Sequence, residues 1–294
     1  ARPSATVEDL QAAINWLVSH QAAEGAFTGF SGEADPGTTS DAVLALAAAG
    51  NAGIDVTAPL ADARDYLLTQ SEEYASMGPG QAAKLILALY AAGDELSSLD
   101  GLDLTTTSQA SGLYGTGVFD HALVILALVA MREEVPAGAI ETLRATRIED
   151  GSWAYDGATT LGSGDSNTTA LVVQALVGAG MVDDPMIAGA FTYFAETQSA
   201  ERGFAFNAAE PLVGDANSTA IVLQAAIAAG EDLDAPEWRA ASQALRQFQN
   251  QSGAFRYNEV QLEDNLFATM QAIPALAGEI LPISRVLSLA TPGA

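Results

Sequence analysis

Six copies of one short phrase recur along the chain, and this periodicity constrains the fold more than any other feature of the sequence. Each copy is a run of Ala, Leu and Val that opens beside a polar residue, and most copies end at glycine. The copies align on alanines that lie 39 to 50 residues apart: Ala42, Ala83, Ala122, Ala170, Ala220 and Ala268. A fixed period in this range is typical of repeat architectures. The sequence therefore predicts one continuous domain over residues 1–294, built of six helical-hairpin repeats.

A second set of helices is predicted between the six apolar ones. Its members combine one apolar stripe with several charges, and most begin at Thr or Pro, which favour a helix start. They cover residues 7–20, 58–70, 96–104, 136–148, 185–198 and 235–249. Helices that are apolar on nearly every side belong inside, and helices with one stripe belong outside. We predict an all-α fold, an α6/α6 double-ring toroid with six inner and six outer helices, closed by a final segment at 280–289. A closed ring is favoured over an open solenoid because the terminal repeats lack polar outer faces.

The charge balance excludes several classes of partner. The net charge is −26, with 37 acidic residues and a single lysine, Lys84. Nucleic acids and anionic lipids both require a basic surface, and no apolar run approaches the roughly 20 residues of a membrane span. Three interpretations of the acidity stay open, namely adaptation to high salt, an ordinary acidic secreted protein, or metal binding by part of the charge. Cysteine is absent, which excludes disulfides and thiolate chemistry.

The two ends of the sequence predict export. The first residues read Ala-Arg-Pro-Ser-Ala-Thr, which is typical of a mature end left by signal cleavage. The last residues, Leu-Ala-Thr-Pro-Gly-Ala, resemble the start of a linker. We therefore expect an extracellular or cell-surface protein, and a monomer.

A phrase of glycine and an aromatic residue follows several outer helices. Residues 21–27 and 249–255 both read Gln-x3-Gly-x-Phe, and residues 147–153 keep this frame with Arg and Trp. The phrase after Gln198 is one residue longer, and the phrase after Gln109 is one residue shorter. A left-handed glycine ends a helix, and a Gln amide can bond the free carbonyl groups there. We predict that these phrases are the junctions between neighbouring repeats.

The junction phrases, together with the Asp-x-Asn-Thr-Thr-Ala helix start at 165–170, resemble the prenyltransferase/squalene-cyclase repeat superfamily over roughly residues 7–278. That group includes terpene cyclases, protein prenyltransferase β subunits, thioester domains and the α-domain of cobalamin carriers. The resemblance implies a terpene-cyclase-like α/α toroid with a ligand site in or over its central cavity.

The catalytic motifs of that superfamily are missing from this sequence. The Asp-x-Asp-Asp string of class II cyclases does not occur, and the absence of Cys rules out the zinc and thioester sites. Class II cyclases also usually carry a second helical domain, for which the chain has no room. The α-domain of cobalamin carriers matches the length, although those proteins add a separate β-domain. The missing motifs favour binding over catalysis.

A group of polar residues opens the inner helices, and a toroid would bring them to one end of the bore. The group comprises Asp41, Gln81, Asp120, His121, Asp165, Asn167, Asp215, Asn217 and Asp264. Such residues commonly cap helices, but converging carboxylates can also bind a ligand or raise one another's pKa enough for acid catalysis. His121 is interpreted as a polar pore residue or a helix-start donor rather than a metal ligand, and no metal site is predicted. Tyr155 and Tyr257, two residues beyond junction aromatics, are the predicted cavity-lining rings.

The leading hypothesis is a non-catalytic binding toroid without a cofactor. Its expected partner is an apolar or amphipathic small molecule of isoprenoid or corrinoid type, or a protein at the mouth of the ring. The alternative is a divergent minimal class II terpene cyclase that uses a lone carboxyl group, Asp165 or Asp215, as its general acid. A purely structural surface module is a third interpretation.

Overall fold

The computed structural model describes residues 7–94, 104 and 111–286 of the chain. Within these residues it contains six inner helices and five outer helices. The inner helices are α2 (Pro36–Asn51), α4 (Pro79–Ala91), α5 (Val118–Met131), α7 (Ser166–Gly178), α9 (Ala216–Ala229) and α11 (Leu266–Ala277). The outer helices are α1 (Val7–Val18), α3 (Thr57–Ser76), α6 (Ala137–Thr146), α8 (Pro185–Thr197) and α10 (Pro236–Gln247). The outer helix predicted at 96–104 lies outside the described residues, except for Leu104.

The inner helices form a closed ring. Each one packs against the next in chain order, and α11 packs against α2 as well as α9. Their alanines are almost completely buried, which allows the helix axes to approach closely. The chain is therefore an α/α toroid, as predicted. None of the described helices is both long and apolar enough to cross a membrane. Among the described residues, two short strands, β1 (Phe255–Arg256) and β2 (Asp264–Asn265), form an antiparallel pair.

The helix starts give a repeat register that differs from the alanine alignment. The inner helices have their N-caps at Asp35, Gly78, Gly117, Asp165, Asp215 and Asn265. Helix α2 therefore begins at Pro36 rather than near Ser40, because a proline fits the first turn of a helix. The alignment on Ala42 and Ala268 was therefore wrong in the first and last repeats. In those repeats the predicted site residues do not occupy the same position relative to the N-cap as in the others.

The Gln-x3-Gly phrase joins neighbouring repeats, as the sequence predicts. Gln21 Nε2 donates to the carbonyl oxygen of Gly25 over 3.0 Å and to that of Pro59, in the first turn of α3, over 2.9 Å. Gly25 has φ of +88°, and a Cβ atom there would collide with the carbonyl oxygen of Asp62. Only glycine therefore allows the junction to pack this closely on the next outer helix.

The last junction closes the outer ring in the same way. Gln249 Nε2 donates to the carbonyl oxygens of Gly253 and Asp9, both over 2.9 Å. Asp9 belongs to α1, and a Cβ atom on Gly253 would collide with the carbonyl oxygen of Ala12 in the same helix. The two ends of the repeat array are thus joined by the contact that joins consecutive repeats.

Residues 279–286 cross the end of the bore where the inner helices finish. Gln174 Oε1 accepts a hydrogen bond of 2.8 Å from the backbone of Leu281, and Gln224 Nε2 donates one of 3.1 Å to the carbonyl oxygen of Glu279. The backbone N–H of Val286 donates to Ala91 over 3.1 Å. The described part of this segment forms no helix and covers one end of the bore, whereas the contact of α11 with α2 closes the ring. Residues 287–289 of the closing segment predicted at 280–289 lie outside the described residues.

Candidate functional site: a cavity in the bore

The bore of the toroid contains a cavity of about 230 Å³. Every inner helix contributes to its wall, and the closing segment forms its floor through Leu281 and Ile283. The lining residues from the helices are Asp41, Leu44, Lys84, Leu87, Phe119, Leu123, Leu171, Ile221, Gln224, Met270, Gln271 and Pro274. The cavity therefore has a floor and opens toward the end where the inner helices begin, which we call the mouth.

One structural layer divides the cavity into two unlike walls. The layer consists of the six residues that lie six positions beyond the N-caps: Asp41, Lys84, Leu123, Leu171, Ile221 and Gln271. The three polar members belong to α2, α4 and α11, and the three apolar members belong to α5, α7 and α9. Because α11, α2 and α4 are consecutive in the ring, the polar groups share one side of the cavity. The opposite side of this layer is hydrocarbon, and Gln224 of α9, whose amide bonds the closing segment, adds a polar group nearer the floor.

An ion pair marks the border between the bore and the mouth. Lys84 Nζ donates to Asp41 Oδ2 over 2.7 Å, and the two side chains are 25% and 20% exposed. Both residues also line a second space, of about 250 Å³, on the mouth side. Phe30 and Phe267 line that space with their rings stacked 4.2 Å apart. A long ligand could therefore run from the bore past the ion pair and under these rings.

The two candidate acids are helix caps. Asp165 Oδ1 accepts from the backbone N–H of Thr168 over 2.7 Å, and Asp215 Oδ1 accepts from that of Ser218 over 2.8 Å. Both carboxyl groups are buried, and burial raises the pKa of Asp165 above its ordinary value and that of Asp215 to about 6. Neither belongs to the residues that line the cavity. Their raised pKa values follow from removal of water and not from mutual repulsion at a shared site.

Asp120 and His121 lie in the first turn of α5, and their side chains accept hydrogen bonds from the junction segment that precedes this helix. Asp120 Oδ2 accepts from the backbone N–H and the hydroxyl of Thr116, over 2.9 and 2.7 Å. His121 Nδ1 accepts from the backbone N–H of Tyr114, so Nε2 carries the proton that it donates to Ala139. Burial lowers the pKa of His121. Both ring nitrogens are occupied, and the described residues include no cluster of His, Asp and Glu fit to hold a metal ion.

The remaining polar candidates also lie away from the cavity wall. Gln81, Asn167 and Asn217 sit in the first turns of their helices, and the Oδ1 atoms of both asparagines are buried with no hydrogen-bond partner among the described residues. Asp264 precedes the N-cap of α11, is exposed, and accepts from Asn250 Nδ2 over 2.8 Å. The predicted ring of entrance carboxylates is thus not one geometric layer.

The two predicted aromatic residues lie at the mouth rather than in the bore. Tyr155 is 54% exposed, and its ring lies 5.5 Å from that of Phe119, which does line the cavity. The backbone carbonyl oxygen of Tyr257 accepts from the backbone N–H of Ala216 over 2.8 Å, and burial raises the pKa of the Tyr257 phenol. Their backbones connect one repeat to the start of another, so the mouth is held by main-chain bonds.

Sequence reasoning found one lining residue, Asp41, and missed the others. The missed polar groups are Lys84, Gln224 and Gln271. The signal was available for Lys84, because a lysine inside an otherwise apolar inner helix has no structural reason to be there. The shared layer could not be recognised without the correct N-cap register, since the alanine alignment displaces Asp41 and Gln271.

Comparison with known proteins gives the fold. No protein-family model matches the sequence, and no curated protein matches it. A variant of the type II terpene cyclase MstE from Scytonema, in complex with geranylgeranyl dihydroxybenzoate, is 19% identical with a TM-score of 0.67. The alignment covers 92% of this chain and 96% of that one. The chain thus has a terpene-cyclase-like α/α toroid fold. The expectation that a terpene cyclase needs more chain than this does not hold for that neighbour.

Hydrolases share the same architecture. An unsaturated glucuronyl hydrolase specific for heparin is 11% identical with a TM-score of 0.67, and the alignment covers 92% of this chain and 96% of that one. A family 88 glycosyl hydrolase from Bacteroides vulgatus is 14% identical with a TM-score of 0.62, with 93% and 99% covered. Since the fold carries different chemistries, the function must be argued from the cavity.

Proposed function

We propose that the protein binds an amphipathic small molecule of isoprenoid type in its central cavity without transforming it. The observation that carries this proposal is the division of one floored cavity into a hydrocarbon wall and a polar wall. Leu123, Leu171 and Ile221 offer an apolar surface to an apolar chain, and burial of such a chain contributes roughly 25 cal/mol per Å². Asp41 and Lys84 meet a polar end group on the other side.

The size of the space selects among the ligands that the fold allows. About 230 Å³ in the bore lies below the roughly 300–1,000 Å³ of ordinary ligand pockets. A short isoprenoid fits such a volume, and a longer one would extend into the second space of about 250 Å³ at the mouth. A corrinoid or a protein partner would have to sit over the mouth. MstE variants hold geranylgeranyl dihydroxybenzoate or merosterolic acid A, which are named as its substrate and product. Those ligands support the isoprenoid class.

The positions of the carboxyl groups favour binding over cyclisation. A cyclase acid must reach the alkene it protonates, and Asp165 and Asp215 cap helices outside the lining of the cavity. Among the described lining residues, Asp41 is the only carboxylic acid, and it accepts a hydrogen bond from Lys84. A carboxylate engaged with an ammonium group serves as an acceptor.

Native mass spectrometry with geraniol, farnesol and a cobalamin tests the proposal. We expect a one-to-one complex with at least one isoprenoid, recovered unchanged after extraction. Ile221→Trp fills the cavity and should abolish that complex, whereas Val182→Trp, at a site that is 58% exposed and outside the cavity, should leave it intact. A rearranged product would support the cyclase instead. Retention of the complex by Ile221→Trp would place the ligand outside the bore and contradict the proposal.

A further inference from the structure

The polar wall of the cavity has hydrogen-bonding capacity that the described residues do not use. An ammonium group has three N–H donors, and the bond to Asp41 is the one hydrogen bond of Lys84 Nζ within the described residues. The Gln271 side chain lies on α11, which packs against α2 as α4 does, and it makes no hydrogen bond within the described residues. Two donors on Lys84 and the N–H donors of Gln271 therefore have no partner among the described residues and can bind an oxygen atom of a ligand.

The charges around this wall disfavour an anionic ligand. Asp41 neutralises Lys84 at 2.7 Å, so the pair adds no net positive charge to the cavity. Lys84 is the only lysine in a chain of net charge −26, and no arginine lines the cavity among the described residues. A carboxylate or diphosphate would enter a negative protein and lie beside Asp41 without a compensating cation, which is unfavourable in a partly buried site.

We propose that Lys84 and Gln271 bind a neutral oxygen head group, a hydroxyl or carbonyl, and so set the orientation of the ligand in the cavity. This inference rests on the proposed function and specifies its ligand class. The head group lies against the wall formed by α2, α4 and α11, and the isoprenoid chain lies against Leu123, Leu171 and Ile221. Because the ion pair also borders the space at the mouth, a ligand bound this way places its oxygen at the border of the two spaces.

Binding of three matched probes tests the inference. Geraniol, geranic acid at neutral pH and myrcene share a ten-carbon skeleton and differ in the head group. By titration calorimetry or native mass spectrometry we expect geraniol to bind about tenfold tighter than myrcene, the equivalent of one net hydrogen bond, and tighter than geranate. The double variant Asp41→Leu/Lys84→Met removes the pair without leaving a buried unpaired charge, and it should retain only the part of the difference between geraniol and myrcene that Gln271 contributes. Gln271→Leu should reduce, but not abolish, the difference in affinity between geraniol and myrcene.

The single lysine provides an independent measurement. Reductive methylation of Lys84, followed by peptide mass spectrometry, reports on its Nζ atom alone, and geraniol should slow it more than myrcene does. Equal binding of geraniol and myrcene by the wild type would overturn the inference while leaving the proposed function standing. Tightest binding of geranate would overturn it as well, because the head group would then be anionic. No binding of any probe to the wild type, with Ile221→Trp indistinguishable from it, would refute the proposed function itself.

Discussion

The backbone N–H of Tyr114 donates a hydrogen bond of 3.0 Å to Nδ1 of His121, and the two rings stack 4.7 Å apart. The other junction aromatics make the same bond to a threonine hydroxyl four residues beyond an N-cap, over 2.8 to 3.0 Å. These pairs are Phe27–Thr39, Trp153–Thr169, Phe204–Thr219 and Phe255–Thr269. His121 is therefore a junction residue that replaces the threonine of these four repeats, and its Nε2 additionally donates to the carbonyl oxygen of Ala139.

The histidine makes this junction sensitive to acid. Burial lowers the pKa of His121 below its ordinary value of 6.5, so the unfolded chain takes up a proton at a pH where the folded protein does not. The stability contributed by the neutral ring is present above pH 6.5 and is lost as the pH falls below it. His121→Asn keeps a side-chain acceptor but cannot be protonated in this range. We expect urea unfolding to show a smaller loss of stability between pH 7.5 and pH 5 in this variant than in the wild type. Equal losses would contradict the assignment.

Asp215 has the opposite pH dependence. Burial raises its pKa from 3.8 to about 6, so the folded protein binds the proton more tightly than the unfolded chain. The contribution to stability is full below pH 3.8 and is lost as the pH rises through about 6. Asp215→Asn retains the cap on Ser218, just as Asn265 caps α11. We expect this variant to gain up to about 3 kcal/mol at pH 7.5 and little at pH 4.

The half-exposed N-cap Asp35 provides the matched control for that experiment. It accepts from the backbone N–H of Thr38 over 2.6 Å in the same capping geometry. Asp35→Asn removes the same charge from a less buried cap, so it controls for the change in net charge. A similar pH-dependent gain in both variants would attribute the effect to net charge and not to burial.

The junction glycines should tolerate no side chain. Gly151 has φ of +95°, and a Cβ atom there would collide with the carbonyl oxygen of Gly189 in α8. Gly151→Ala combines backbone strain with overpacking, so we expect a loss of about 3 kcal/mol in thermal or urea unfolding. Gly138→Ala is the control, because Gly138 is exposed in α6 with open space around it, and it should gain about 0.5 kcal/mol. If Gly151→Ala left the stability to unfolding unchanged, the junction would have to relax to accommodate the methyl group.

The closing segment should depend on Gln174. This side chain is 1% exposed and accepts from the backbone of Leu281, which forms part of the cavity floor. Gln174→Leu leaves that N–H without a partner, so we expect faster amide hydrogen exchange across residues 279–286 with little change elsewhere. The exposed Gln247→Leu, at the end of α10, serves as the control. Unchanged exchange in both variants would show that packing alone holds the segment.

The architecture was predictable because it depends on properties that repeat along the chain. The alternation of fully apolar and one-sided helices places them inside and outside, and the Gln-x3-Gly phrase identifies the junctions, as the bonds of Gln21 and Gln249 show. These signals are local, and their repetition along the chain reinforces them. The cavity residues carry no such signal, since Lys84, Gln271 and Leu171 differ in type at equivalent positions.

The sequence by itself determined the toroid, its junctions and the absence of the superfamily's catalytic motifs. Only the tertiary structure decided which polar residues face the bore. Asp41 lies six residues inside α2, whereas Asp165 and Asp215 lie at the N-caps of α7 and α9. The physical reason is that a helix turns through about 100° per residue, so an uncertainty of two residues in a helix start reverses the side to which a residue points. Closure of the ring then brings residues from all six inner helices together in one cavity, a relationship that no local pattern records.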